Sequence, residues 1–184
     1  MGKTALVLIA EGTEEMECVI SVDVLRRAGI NVTLAGLTGS HPVKCSRNVM
    51  VVPDKSFSDC KDVYDAVVLP GGLDGSKAFV ESKELGQFLK EQETAGRIVA
   101  AICAAPMALN KHSIGSGKNI TSYPSVQPKV MENANYNYKE EKVVVDDNLT
   151  TSRGPGTAFD FALSLVEQLV GKEKAAEVAK GMLL

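Results

Sequence analysis

The stretch Arg97-Ile98-Val99-Ala100-Ala101-Ile102-Cys103-Ala104-Ala105-Pro106-Met107-Ala108-Leu109 decides the fold. Residues 97–102 form a nearly continuous apolar run, the pattern of a strand covered on both faces. Pro106 is tolerated only in the first turn of a helix, where its missing N–H is not needed, so a helix is expected to begin within about a residue or two of Cys103. A buried strand turning straight into a helix is half of a parallel α/β unit, and the rest of the chain repeats the pattern. Residues 4–10 (TALVLIA), 31–37 (NVTLAGL) and 66–69 (AVVL) are further apolar runs. Helical periodicity fills residues 14–28, 82–95 and 157–170, and Gly29, Gly96 and Gly171 stand where left-handed C-caps are expected. Residues 143–145 and 149–151, joined by Asp146-Asp147-Asn148, read as a β-hairpin whose turn lacks the usual glycine. The expectation is one domain over residues 1–184, an α/β three-layer sandwich with a mostly parallel sheet and an added β-hairpin. Ligands gather at the carboxyl ends of strands in such sheets, which directs attention to the loops after Ala10, Leu69 and Ile102.

Composition narrows the partners. The chain has 184 residues, 45% hydrophobic and 23% charged, enough for one ordinary core. Its net charge of -3, without a run of lysines or arginines, gives no footprint for sequence-specific nucleic-acid binding or for an anionic membrane. The first apolar run ends at Glu11, too short for a signal peptide or a membrane span. Gly2 is not followed by Ser or Thr at position 6, where Leu6 stands, so myristoylation is not expected. A cytoplasmic chain is expected, with nucleus and mitochondrion left open. Cys18, Cys45, Cys60 and Cys103 lie far apart, with only His41 and His112 beside them, so neither a metal site nor a disulfide framework is expected.

Two residues carry candidate chemistry. Cys103 falls at the strand-to-helix turn, where backbone N–H groups and a positive helix end lower a thiol's pKa, and where Ala104 and Ala105 leave the sulfur reachable. A cysteine at a strand end is also an ordinary core residue, and position alone leaves both readings open. The loop Leu69-Pro70-Gly71-Gly72 adds unobstructed amides, so the N–H groups of Gly72 and Ala104 form a candidate oxyanion hole. On a helical wheel Glu15, Asp23, Arg26 and Arg27 share the face toward water, whereas Glu17 falls beside Val24 and Ala28 on the buried side. A desolvated glutamate has a raised pKa and can donate a hydrogen bond to a thiolate. Acidic residues in a first turn also simply complement the dipole, which accounts for Glu14 and Glu15.

The segments EGTEEME (11–17), DVLRRAGI (23–30), VVLPGG (67–72), AAICAAP (100–106), TSYPS (121–125) and TSRGPGTAFDFAL (151–163) together resemble the parkinsonism-associated protein deglycase family of the ThiJ/PfpI superfamily. The resemblance spans nearly the whole chain. It implies a flavodoxin-like sandwich, a homodimer, and a cofactor-independent site in which Cys103 is the nucleophile and Glu17 its protonated partner. It further implies action on methylglyoxal and on glycated protein or nucleotide adducts, and, as an alternative, a redox sensor or chaperone switched by oxidation of Cys103 to a sulfinic acid. Arg47 and Arg153 match positions that approach the family pocket, partly from the dimer mate; Gly71, Tyr123, Gly154 and Pro155 are further pocket candidates, and Gly154, Pro155 and Gly156 also read as shaping the helix start after Pro155. A solvated arginine near a turn is the other reading of Arg47 and Arg153. Tyr123 stands where the family has a histidine, and Ala104 where many superfamily members have one. A Cys-His dyad is therefore not expected.

Overall fold

The computed structural model describes residues 2–184. The first half holds β1 (Thr4–Ile9), α1 (Glu15–Arg27), β2 (Asn31–Gly36), β3 (Val43–Lys44), β4 (Met50–Val51), β5 (Lys55–Ser56), β6 (Ala66–Leu69), α2 (Leu73–Glu81) and α3 (Lys83–Thr94). The second half adds β7 (Ile98–Ile102), α4 (Pro106–Lys111), β8 (Asn119–Ile120), α5 (Gln127–Met131), β9 (Asn137–Tyr138), β10 (Val143–Asp146), β11 (Leu149–Ser152), α6 (Ala158–Val170) and α7 (Lys172–Gly181).

Seven strands form one sheet in the order β10-β11-β7-β6-β1-β2-β5. Every neighbouring pair is parallel except β10 with β11, the hairpin read from sequence. The apolar runs sit in the middle: β6, and β1 from Ala5 onward, are fully buried. The crossover β1-α1-β2 moves toward one edge of the sheet, and β6-α2-α3-β7 moves toward the other. Because such crossovers are right-handed, their helices lie on opposite faces. Accordingly α1 packs on α6 and α6 on α7, while α2 packs on α3 and α4, and α4 on α5. The direction of winding reverses between β1 and β6, so a crevice opens there at the carboxyl ends of the strands.

Local sequence sets the boundaries. Glu14 caps α1, its carboxylate accepting the Glu17 N–H at 2.9 Å. Gly29, at φ 78°, takes the left-handed conformation expected of a helix stop. Gly171 departs from that expectation: at φ 97° and ψ 159° it turns α6 directly into α7. In the β10–β11 hairpin Asp147, at φ 55°, occupies the left-handed position a glycine would otherwise fill. Its neighbour Asn148 is buried and ties the turn to the end of α3, donating to Glu93 O at 3.3 Å and Arg97 O at 3.0 Å.

Candidate active site at the Cys103 turn

Three strands deliver their following residues to the crevice. Cys103 follows β7, Gly71 and Gly72 lie in the loop after β6, and Glu17 is in the first turn of the helix after β1. Cys103 has φ 64°, a left-handed conformation that costs a residue with a Cβ on the order of 1–3 kcal/mol. The turn is held from both sides: its N–H donates to Ser152 O at 3.0 Å, and its carbonyl accepts the Tyr123 N–H at 2.8 Å.

The electrostatics of the thiol correct the sequence expectation. α4 starts at Pro106, with Ala105 as its cap, and has only six residues, too short a stack of peptide dipoles to set the thiol's ionisation. Cys103 is 9% exposed, and burial pushes its thiol up, to about 12. A charged Glu17 adds to that rise, while the backbone N–H groups of Gly72 and Ala104 beside the sulfur partly offset it.

Glu17 lies where the helical wheel puts it, fully buried. One carboxyl oxygen, Oε2, accepts the Gly71 N–H at 2.7 Å. The other, Oε1, is buried with no hydrogen-bond partner, and the neighbouring Cys103 thiol works to lower the acid's pKa. Burial raises this carboxyl from the ordinary 4.5 to about 7, the Gly71 N–H working against the rise and the Glu14 charge adding to it. A Glu17 charge thus works against a charge on the sulfur, so the pair holds both protons below about 7 and one proton between them from there up to about 12. A proton on Glu17 replaces a repelling carboxylate beside the sulfur with a donor.

Gly71 makes this approach possible. A Cβ built there falls 2.5 Å from the Cβ of Cys103 and 2.6 Å from Glu17 Oε2, where no side chain fits. Tyr123 is 45% exposed and lays its ring on Gly154, whose imagined Cβ comes 3.3 Å from Tyr123 Cδ2. Gly154 is buried, its N–H donating to Thr157 Oγ1 at 3.1 Å, and Pro155 opens a 3-10 turn leading into α6. Within the chain the two arginine side chains are engaged elsewhere. Arg47 is exposed with its guanidinium on Ser46 O at 3.2 Å, and that of Arg153 donates to Glu140 O at 2.8 Å.

One buried acid differs from the sequence reading. Glu15, expected in water, is 7% exposed, because the turn between β3 and β4 folds over it. It accepts from Ser46 Oγ at 2.8 Å and from the Arg47 N–H at 2.8 Å. Burial works to raise its pKa, but hydrogen bonds from its own amide, Ser46, Arg47 and Val49 outweigh that and hold it below the ordinary value. The helical period carries no signal of this contact, since the covering residues lie about 30 positions further along.

The remaining cysteines, Cys18, Cys45 and Cys60, are buried and unbridged. Among the described residues no cluster of His, Cys, Asp or Glu could hold a metal ion, and no helix is long and apolar enough to cross a membrane.

A doubly wound α/β sheet that sets a cysteine in a left-handed turn, against a buried carboxyl and two backbone N–H groups, defines a flavodoxin-like protein with a thiol site. Residues 3–168 match the model of the DJ-1/PfpI family, and the chain belongs to that family. It is 56% identical to Protein dj-1beta of Drosophila melanogaster over 186 residues, covering 100% of this chain and 98% of that one. The crystal structure of Drosophila melanogaster DJ-1beta superposes with a TM-score of 0.97, covering 100% of this chain and 99% of that chain. The Parkinson disease protein 7 homolog of Danio rerio is 51% identical, over 100% of this chain and 98% of its own. More distant, at 40% identity over 99% of this chain and 97% of its own, is a Caenorhabditis elegans protein named glutathione-independent glyoxalase DJR-1.2.

Proposed function

We propose that the chain is a cofactor-independent glyoxalase and protein deglycase acting on methylglyoxal and its early adducts through Cys103. The observation that carries this reading is the pairing of a buried Glu17 with Cys103 across Gly71, with the N–H groups of Gly72 and Ala104 on the sulfur. The name of the Caenorhabditis elegans relative points to the same chemistry.

In the proposed reaction the Cys103 thiolate forms a C–S bond to the aldehyde carbon, and the aldehyde π electrons move onto its oxygen. That oxyanion lies toward the Gly72 and Ala104 N–H groups and takes the Glu17 proton. Glu17, now a carboxylate, removes the proton from the former aldehyde carbon and returns it to the neighbouring ketone carbon through an enediol. The first carbon is thereby oxidised to a thioester and the second reduced to an alcohol, with no external electron acceptor. Water then cleaves the C–S bond, releasing the hydroxy acid and restoring the shared proton. For an adduct, the thiolate forms the C–S bond as the hemiaminal C–N bond breaks, the protein amine leaves with the Glu17 proton, and the resulting hemithioacetal continues as above. Cys103→Ser is expected to abolish lactate formation from methylglyoxal, and wild-type turnover in that variant would overturn the reading.

A redox-sensing role, with or without chaperone action, is the second reading. It is favoured by the unbridged Cys103 and by Glu17 Oε1, free to donate to an oxidised sulfur. The thiolate attacks one peroxide oxygen and expels hydroxide to give a sulfenic acid, the hydroxide takes its proton to leave a sulfenate and water, and a second peroxide transfers an oxygen to give a sulfinate and a second water. Intact mass after mild peroxide tests it: Cys103 must gain two oxygens before the other cysteines gain any.

A homodimer fits the exposed apolar side chains Met16 and Val19 on α1, Met50 and Val52 beside the β3–β4 turn, and Phe159 on α6. This face also carries Arg47, so a second copy seated there is the proposed route by which Arg47 nears a thiol site. Sedimentation of wild type against Val19→Glu tests the arrangement.

A further inference from the structure

On the opposite face, away from the exposed apolar patch, a cavity of about 590 Å³ lies between α2, α4 and α5. Its charge has one dominant sign: Lys77, Lys111 and Lys129 line it with Glu132 as the lone acid, two net positive charges in a chain whose total is -3. Among the described residues Lys111 and Lys129 have no carboxylate partner, and Lys77 bonds only the exposed Asp74 at 2.9 Å. Three compact ammonium groups around one space suit a dianionic phosphate better than a single carboxylate. The floor, from Val80 and Met107, is apolar.

A second space of about 130 Å³ adjoins it, sharing Asn110, Ser113 and Asn133 as a common wall. The added lining includes Ser116 and Asn135. Hydroxyls and carboxamides of this kind, which donate and accept at once, are the groups that bind polyols. The wall is fixed in place, because Asn110 Nδ2 in α4 donates to Lys129 O at 2.8 Å and Glu132 O at 2.9 Å.

We infer that this crevice binds a small sugar phosphate, with the phosphate among Lys77, Lys111 and Lys129, the sugar's C–H face on Val80 and Met107, and its hydroxyls toward Ser116 and Asn135. The site lies one helical turn from the thiol. Met107 donates its N–H to Ala104 O at 3.1 Å, and Ala104 is the residue whose own N–H faces the Cys103 sulfur.

The test is calorimetric titration of the intact protein with ribose 5-phosphate, and separately with ribose and inorganic phosphate. Saturable binding of ribose 5-phosphate, tighter than either fragment, is expected. The double variant Lys111→Glu/Lys129→Glu should weaken it by about tenfold or more, the two side chains being exposed and unpaired so that the fold tolerates them. Lys129→Arg should retain binding, and Cys103→Ser should bind as wild type does, which separates this site from the proposed catalytic one. Absence of saturation at millimolar ligand, equal affinity for inorganic phosphate, or binding that survives the double charge reversal but is lost in Cys103→Ser would each overturn the inference.

Discussion

Gly71→Ala is the sharpest perturbation of the site. The added methyl carbon would stand 2.5 Å from Cys103 Cβ and 2.6 Å from Glu17 Oε2, and 2.9 Å from Ile102 O. Carbon contacts settle near 3.5–4.0 Å, so Glu17 and Cys103 must part by about 1 Å. Gly71 does not use a left-handed φ, so alanine suffers no backbone penalty and the effect is purely one of space. Overpacking of this size costs about 1–3 kcal/mol of stability. Displacing a proton-sharing pair by about 1 Å costs roughly 100-fold in turnover. Steady-state conversion of methylglyoxal, read beside urea unfolding of the same preparation, separates the two effects. A folded Gly71→Ala protein that turns over methylglyoxal at the wild-type rate would refute the claim that this glycine sets the distance between acid and thiol.

Glu17→Gln should change how stability depends on pH. In the fold the carboxyl titrates at about 7 rather than 4.5, so the folded state binds the proton more tightly than the unfolded one. That contribution is complete below pH 4.5 and is lost as pH rises through 7, an amount of about 3 kcal/mol. Urea unfolding should show wild type losing that much relative to Glu17→Gln across this window, and parallel stability curves would contradict the assignment. Asn148→Ala removes a buried amide that donates to Glu93 O and Arg97 O and accepts from Lys118 Nζ, at a cost of about 2 kcal/mol in chemical denaturation. A loss under about 0.5 kcal/mol would mean that the hairpin is held mainly by its strand pairing.

The legible parts of the fold are those in which burial imposes a sequence period. β1, β2, β6 and β7 lie between helical layers, so both faces must be apolar and the runs stand out. The buried face of α1 is likewise a property of its own 3.6-residue repeat, which is why a helical wheel suffices to put Glu17 on the inner side. α2 is not legible in this way because Gly75 and Ser76 interrupt its first turns, and Gly75 sits there to let the helix approach Thr13, whose Cα a Cβ at position 75 would meet at 2.9 Å. The two-residue strands β3, β4, β8 and β9 are too short to carry a period. The burial of Glu15 and the left-handed turn at Cys103 arise from segments distant in sequence, the first from Ser46 and Arg47 and the second from Ser152 and Tyr123. The raised thiol pKa is hidden for a related reason: adjacency to Pro106 advertises a helix start, whereas the enclosure of the sulfur comes from the tertiary fold.

Titrating the Cys103 thiolate by its ultraviolet absorbance, as the difference from Cys103→Ser, addresses the shared proton directly. In wild type the pair should lose its protons in two separated steps, near 7 and near 12, because the first negative charge opposes the second. In Glu17→Gln a single step should remain, at a pH between those two. Titration curves that superimpose in the two proteins would show that the acid and the thiol ionise independently.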